Sequence, residues 1–192
     1  MLQSNPPHAT TQRFMRYNAP AQLLHWLAAL VIFTTLPLGW IVAHMGRDAP
    51  NHHVFIFLHK SFGVLALALI VARLIWRAVR KPPPLPPRLA KWEAGLARAT
   101  HVFLYAIFVV MPVSGYILSS AHDGHPVSFF GLPLPALPEN PALSKLAGAV
   151  HLTGQYFVYL FLAAHLLGVV WHIAIRRDND LARMLPEQVN AE

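Results

Sequence analysis

The chain has no cysteine and very little acid: only 8 of its 192 residues are Asp or Glu. Without thiols there are no disulfides, no iron–sulfur clusters, no thiolate zinc sites and no thioether-attached haem. Any metal chemistry then falls to histidine, to carboxylates or to a non-covalently held cofactor. Charge of either sign is scarce, 12% of residues against 55% hydrophobic, a balance too apolar for a soluble domain of this length. The composition is that of an integral membrane protein. The net charge of +7 does not indicate nucleic acid, because the basic residues lie beside apolar runs rather than among aromatics on a polar face.

Histidine is what the sequence has in excess, with 12 residues. Imidazole is costly to place in hydrocarbon without a partner, so those inside apolar runs are expected to bind something.

Apolar stretches of about 20 residues, the length that crosses a bilayer, occur at 21–43, 55–79, 100–118 and 147–175. The expected fold is all-α, an integral membrane four-helix bundle forming one domain with no internal repeat. Lys60, Arg73, His151, His165 and His172 interrupt the second and fourth runs, and should face the bundle interior or the interfaces. Pro37 and Pro112 are tolerated where neighbouring helices satisfy the freed carbonyls. Eleven basic residues fall in the N-terminal segment, the connection between the second and third spans, and the tail, against Arg47, Lys60 and Lys145 on the other side. The positive-inside rule then puts both termini in the cytoplasm. The first span reads as an uncleaved anchor. Residues 1–12 and 187–192 are expected to be flexible ends, 81–88 a stiff polyproline-type linker, and 119–146 a long outer loop.

His151 and His165 stand 14 residues apart on the fourth span, about 21 Å along a helix axis and roughly 40° short of full turns. They share a face at two depths, the spacing needed to hold one haem in each half of a bilayer. Depth matching supplies a second ligand for each: His25 for His165 on the cytoplasmic side, His59 for His151 on the outer side. Gly63, Gly154 and Gly168 follow three or four residues after their histidines, and Ala28 and Ala29 follow His25; small residues let a flat macrocycle approach. Two imidazoles per iron leave no open coordination position, which suits electron transfer. A single histidine in a span is ordinarily a helix-to-helix hydrogen-bonding residue. Four at matched depths point to haem, and a histidine-lined metal transporter would be expected to add carboxylates, which the four spans lack.

His101 and His172 lie near the cytoplasmic interface, too shallow by this count to pair with a mid-helix ligand. With Arg73 and Arg77 they either line a quinone pocket beside the inner haem, exchanging protons as quinone is reduced, or are interfacial residues in contact with headgroups. On the outer side His52, His53, Lys60 and Arg47 form either a weakly positive mouth, which would also suit haem propionates, or an ordinary solvated loop.

Leu24-His25-Trp26-Leu27, Leu58-His59-Lys60-Ser61-Phe62-Gly63, Arg73-Leu74-Ile75-Trp76-Arg77, Gly115-Tyr116-Ile117-Leu118-Ser119, the histidines of the fourth span, and Asp178-Asn179-Asp180-Leu181 before Arg183-Met184 carry a resemblance. In this order the chain resembles the bacterial cytochrome b561 family of four-helix di-haem cytochromes of the inner membrane, over nearly its whole length. The resemblance implies two haem b groups, held by His25 with His165 and by His59 with His151, and a quinone site near His172 with ubiquinone as acceptor. For one branch of the family it implies oxidation of superoxide at the outer face, where Lys60 stands beside a haem ligand. The segment Asp123-Gly124-His125-Pro126 looks more like a sister branch. The alternative is a relay subunit that takes electrons from a periplasmic redox partner, as the related hydrogenase cytochromes do.

Overall fold

The computed structural model describes residues 16–85, 89–178 and 180–186. Four long helices dominate: α1 (Ala19–His44), α2 (His52–Val79), α3 (Lys91–Asp123) and α4 (Pro141–Val170), the last continued by a π-helical turn, Trp171–Ile175. All four are long and apolar enough to cross a membrane. Each is longer than its apolar run, and in α1, α3 and α4 the polar first turn is held by a side-chain cap that hydropathy does not register. Asn18 Oδ1 accepts from Ala21 N at the start of α1, Asn140 Oδ1 from Leu143 N at the start of α4, and a proline follows each cap. Both are ordinary N-terminal devices. The third helix begins nine residues before the expected 100, where the Glu93 carboxylate accepts from Ala90 N at 2.9 Å. It ends at Gly124, whose φ of 70° closes the helix in the left-handed conformation.

The expected long outer loop is correspondingly shorter and more ordered. Helices α3 and α4 leave residues 124–140 between them, and within this stretch β1 (Ser128–Phe129) pairs antiparallel with β2 (Leu132–Pro133). Phe130 and Gly131 both have positive φ, as a two-residue hairpin turn requires. The hairpin is fastened to α2 by the fully buried Ser61, whose Oγ accepts from Phe130 N at 3.0 Å. The ends of the bundle therefore differ: one carries this hairpin, the other the basic connections. Residues 1–12 and 187–192, with 86–88 of the proline-rich linker, lie outside the described residues.

Helix α1 packs on α2, α2 on α3, and α3 on α4. A small core joins Ala28, Ile32 and Ile70 to Leu36, Leu69, Tyr105, Phe108 and Val109. Helix α4 makes no extensive backbone contact with α1 or α2 among the described residues, so the bundle is open along that diagonal. Outward-facing apolar side chains remain bare, Leu30 at 65% and Leu167 at 67% exposed, which in water would be a liability and in lipid is the expected surface. Four such helices make this a multi-pass membrane protein.

At the basic end the last described residues form a clamp. Arg183 is buried and donates to Pro84 O at 2.7 Å and Pro83 O at 3.3 Å. The backbone around it accepts in turn: Tyr17 N donates to Arg183 O, and Trp26 Nε1 donates to Met184 O. Gln22, buried in the first turns of α1, donates to Leu185 O at 3.0 Å. The tail thereby ties the start of α1 to the proline-rich linker.

Candidate functional site

The open diagonal of the bundle is bridged by imidazoles. His25 of α1 faces His165 of α4 with ring centroids 6.3 Å apart, and His59 of α2 faces His151 of α4 at 6.1 Å. An imidazole nitrogen bonds a transition metal at about 2 Å and lies about 1 Å from its ring centre, so two rings sharing one metal stand about 6 Å apart. Both pairs meet that spacing, and both join helices whose backbones keep their distance.

In the pair near the hairpin, each imidazole is aimed from behind. His59 Nδ1 bonds Thr35 O of α1 at 3.1 Å, and His151 Nδ1 bonds Met111 O of α3 at 2.9 Å with Ser114 Oγ at 3.2 Å. An imidazole whose Nδ1–H is given to a carbonyl presents its Nε2 lone pair, the arrangement of metal-ligating histidines. The approach is permitted by glycines. A Cβ on Gly39 would lie 2.7 Å from His59 Cε1, and one on Gly115 would lie 2.8 Å from His151 Cε1. Each glycine stands four residues after the carbonyl bonded by the opposing histidine, so the two helices build the same socket. The space in front of these rings is apolar, lined by Ile32, Gly63, Ala66, Phe108 and Val158 among others.

Small residues beside each histidine on its own helix do not reveal these sockets, because each glycine belongs to the neighbouring helix. Gly63 and Gly168 do have open space over their Cα atoms, whereas Gly154 packs against Met111. Thr35…Gly39 and Met111…Gly115 are the signal that was available, each with a proline inside the four-residue step.

The second pair lies nearer the basic end. His25 Nδ1 is buried with no hydrogen-bond partner among the described residues, an unmet polar atom that the protein interior does not ordinarily leave. A third imidazole adjoins it: His101 of α3 lies 5.3 Å from His165, ring centre to ring centre. Counting from Arg98 had placed His101 too shallow to meet a mid-helix ligand, and the structure corrects that depth. Helix α3 is already regular at Lys91, so His101 is its third turn rather than its beginning. His101 Nδ1 bonds Ala97 O at 2.6 Å.

Arg73 and Arg77 share a cleft with His101, Tyr105, Tyr17 and Trp76. Both guanidiniums face the Tyr105 ring, at 5.5 and 6.0 Å from its centre, and Arg73 is within electrostatic range of His25 and His165. The cleft is cationic and adjoins the His25–His165 pair, a place suited to carboxylates. His172 does not line it. Its Nδ1 instead faces both carboxylate oxygens of Asp178 at 3.1 Å and Asp180 Oδ2 at 3.5 Å. Of the residues the sequence grouped together here, three converge and one stands apart. Lys60 is half-buried beside His59, within electrostatic range of Asp123.

The described geometry fits a macrocyclic iron group: both pairs have their imidazole rings at metal-bridging spacing, the His25 pair has an orphaned Nδ1, and the His59–His151 pair has apolar walls and backbone close enough that a Cβ would intrude. Comparison with known proteins identifies the family. The family model for prokaryotic cytochrome b561 matches residues 16–187. Cytochrome b561 homolog 2 of Escherichia coli (strain K12) is 34% identical over 173 residues, covering 88% of this chain and 91% of that protein. Cytochrome b561 homolog 1 of the same organism is 26% identical over 174 residues, covering 90% and 98%. A protein of Yersinia pestis named probable superoxide oxidase CybB is 26% identical over 168 residues, covering 86% and 93%. The family implies haem b and electron transfer in the membrane, and this chain belongs to the prokaryotic cytochrome b561 family.

Proposed function

We propose that the protein holds two haem b groups and passes electrons from a periplasmic donor, superoxide being the candidate, to ubiquinone. The observation that carries this reading is the pair of imidazole couples at about 6 Å, set 14 residues apart on α4 and bridging helices that otherwise keep apart. His25 with His165 would hold the inner group and His59 with His151 the outer one. Bound between two imidazoles, a haem iron supplies reversible one-electron chemistry with no open coordination position.

The protein's own residues then have separate tasks. Thr35 O and Met111 O orient the outer imidazoles, and Gly39 and Gly115 admit them. Arg73 and Arg77 offer charge-assisted hydrogen bonds to the carboxylates of the inner group. Lys60 is the charged residue that meets an anionic donor at the outer site. His172, set away from the arginine cleft, serves the quinone. Both termini lie in the cytoplasm, because the basic connections gather at one end of the bundle.

The test is functional reconstitution. Purified protein should carry haem of b type and reduce ubiquinone when superoxide is generated beside it, with no partner protein present. Haem reduction that requires an added redox protein, with none by superoxide, would make the chain a relay subunit and exclude the oxidase reading.

A further inference from the structure

Helix α4 does not end as an α-helix. Its last turn widens to a π-helix over Trp171–Ile175, a rare form that recurs at functional sites. Arg177 takes a φ of 49°, and the chain doubles back so that Asp178 N donates to His172 O at 3.0 Å. The turn-back places the Asp178 and Asp180 side chains against His172, with one ligand-type atom from each of the three within 4.8 Å of the others. The Asp178 side chain is 7% exposed and that of His172 20%. Glu93 reaches the same region from α3, where its carboxylate receives Trp171 Nε1 at 3.4 Å and pairs with Arg176 at 3.6 Å. Among the described residues, the charged groups around His172 include Glu93 from α3, Arg176 just beyond the π-helical turn and paired with Glu93, and Asp178 and Asp180 from the returning chain.

We propose that Asp178, assisted by Asp180, is a positioning residue that holds His172 as the proton donor to ubiquinone as it is reduced; this rests on the reading of His172 as the quinone residue. With Nδ1–H committed to Asp178, His172 has Nε2 as the nitrogen free to exchange a proton. A carboxylate behind an imidazole fixes its tautomer and ring orientation, the division of labour found in acid–base pairs of many enzymes. Ubiquinone takes two electrons from the reduced cytochrome and two protons to become ubiquinol. For each proton delivered by His172, the Nε2–H bond breaks and an O–H bond forms at a quinone carbonyl oxygen. The remaining imidazole keeps its Nδ1 proton against Asp178 and regains the other from water at the basic end. The clamp through Arg183 and Gln22 keeps this returning segment in place.

The experiment uses the full chain loaded with haem, chemically reduced and mixed with a short-chain ubiquinone, following re-oxidation of the haem band. Asp178→Asn and the double variant with Asp180→Asn preserve shape and remove charge. They should retain the full haem content and lower kcat by about tenfold, the usual cost of losing a supporting carboxylate, with KM changed by less than about twofold. The solvent deuterium isotope effect on kcat should rise, because proton delivery becomes limiting, and Asp178→Glu should recover most of the rate. His172→Ala should fall by about a hundredfold, as for a lost general acid. A slow His172→Ala with normal Asn variants overturns the carboxylate role and leaves His172 at the quinone. A normal His172→Ala removes the quinone reading itself, and the proposal with it. Loss of haem from the Asn variants would assign the carboxylates to the fold and also overturn the proposal.

Discussion

Gly39 lies so close to His59 that a single added methyl would stand 2.7 Å from Cε1 of the imidazole. The contact crosses from α1 to α2, and the same relation recurs between Gly115 of α3 and His151 of α4 at 2.8 Å. Real Cβ atoms do not approach so closely, and neither ring can retreat without giving up its bond to Thr35 O or Met111 O.

Gly39→Ala and Gly115→Ala should therefore each displace one outer imidazole. The expected result is loss of the outer haem with retention of the inner one, read as a fall from two haems per chain to one by haem extraction and protein quantification. Gly95→Ala is the control, since nothing lies within 4 Å of its added methyl. Full haem content in both socket variants would show that the helices part more easily than close packing allows.

Lys60 adjoins His59, the proposed ligand of the outer haem, at the end of the bundle where the proposed anionic donor would arrive. If steering matters, the superoxide-driven rate should fall as salt rises, because screening shortens from about 30 Å at 0.01 M to about 8 Å at 0.15 M. Lys60→Gln should lower the rate at low salt and flatten its salt dependence, with both haems bound. A rate indifferent to salt and to this substitution would remove Lys60 from the encounter with the donor.

Arg183 is the centre of the clamp at the basic end, buried and bonded to the carbonyls of Pro83 and Pro84. Charged hydrogen bonds of this kind contribute roughly 1.5–3 kcal/mol. Arg183→Ala should lower the thermal midpoint of the detergent-solubilised holoprotein by several degrees, followed by the haem band. Arg183→Lys should recover less than half of the loss, because an ammonium does not reproduce the planar fork. An unchanged midpoint in the alanine variant would make the clamp incidental.

Much of this architecture is legible in the sequence because lipid is an exacting solvent. Apolar runs of bilayer length must be helices, and the spacing of His151 and His165 on one of them fixes two depths. What hydropathy does not register is structure held by polar contacts. Helix α3 starts at Lys91 because Glu93 caps it, and the residues from 91 to 99 are too polar to be counted into a span; the depth assigned to His101 failed for that reason. The glycine sockets escape a reading confined to one helix, since the ring that needs the space belongs to another. The Asp178–His172 contact depends on a π turn and a left-handed Arg177, two backbone choices that no side-chain periodicity announces.

The most direct test of the account is the haem spectrum of four single variants, His25→Ala, His165→Ala, His59→Ala and His151→Ala, each resolved into its two components by redox titration. The first two should lack the same component and keep the other, and the last two should show the reverse. His101→Ala, carrying the imidazole nearest His165, should keep both. Two haems in all four variants would contradict the assignment, and so would loss of the inner component in His101→Ala with its retention in His25→Ala.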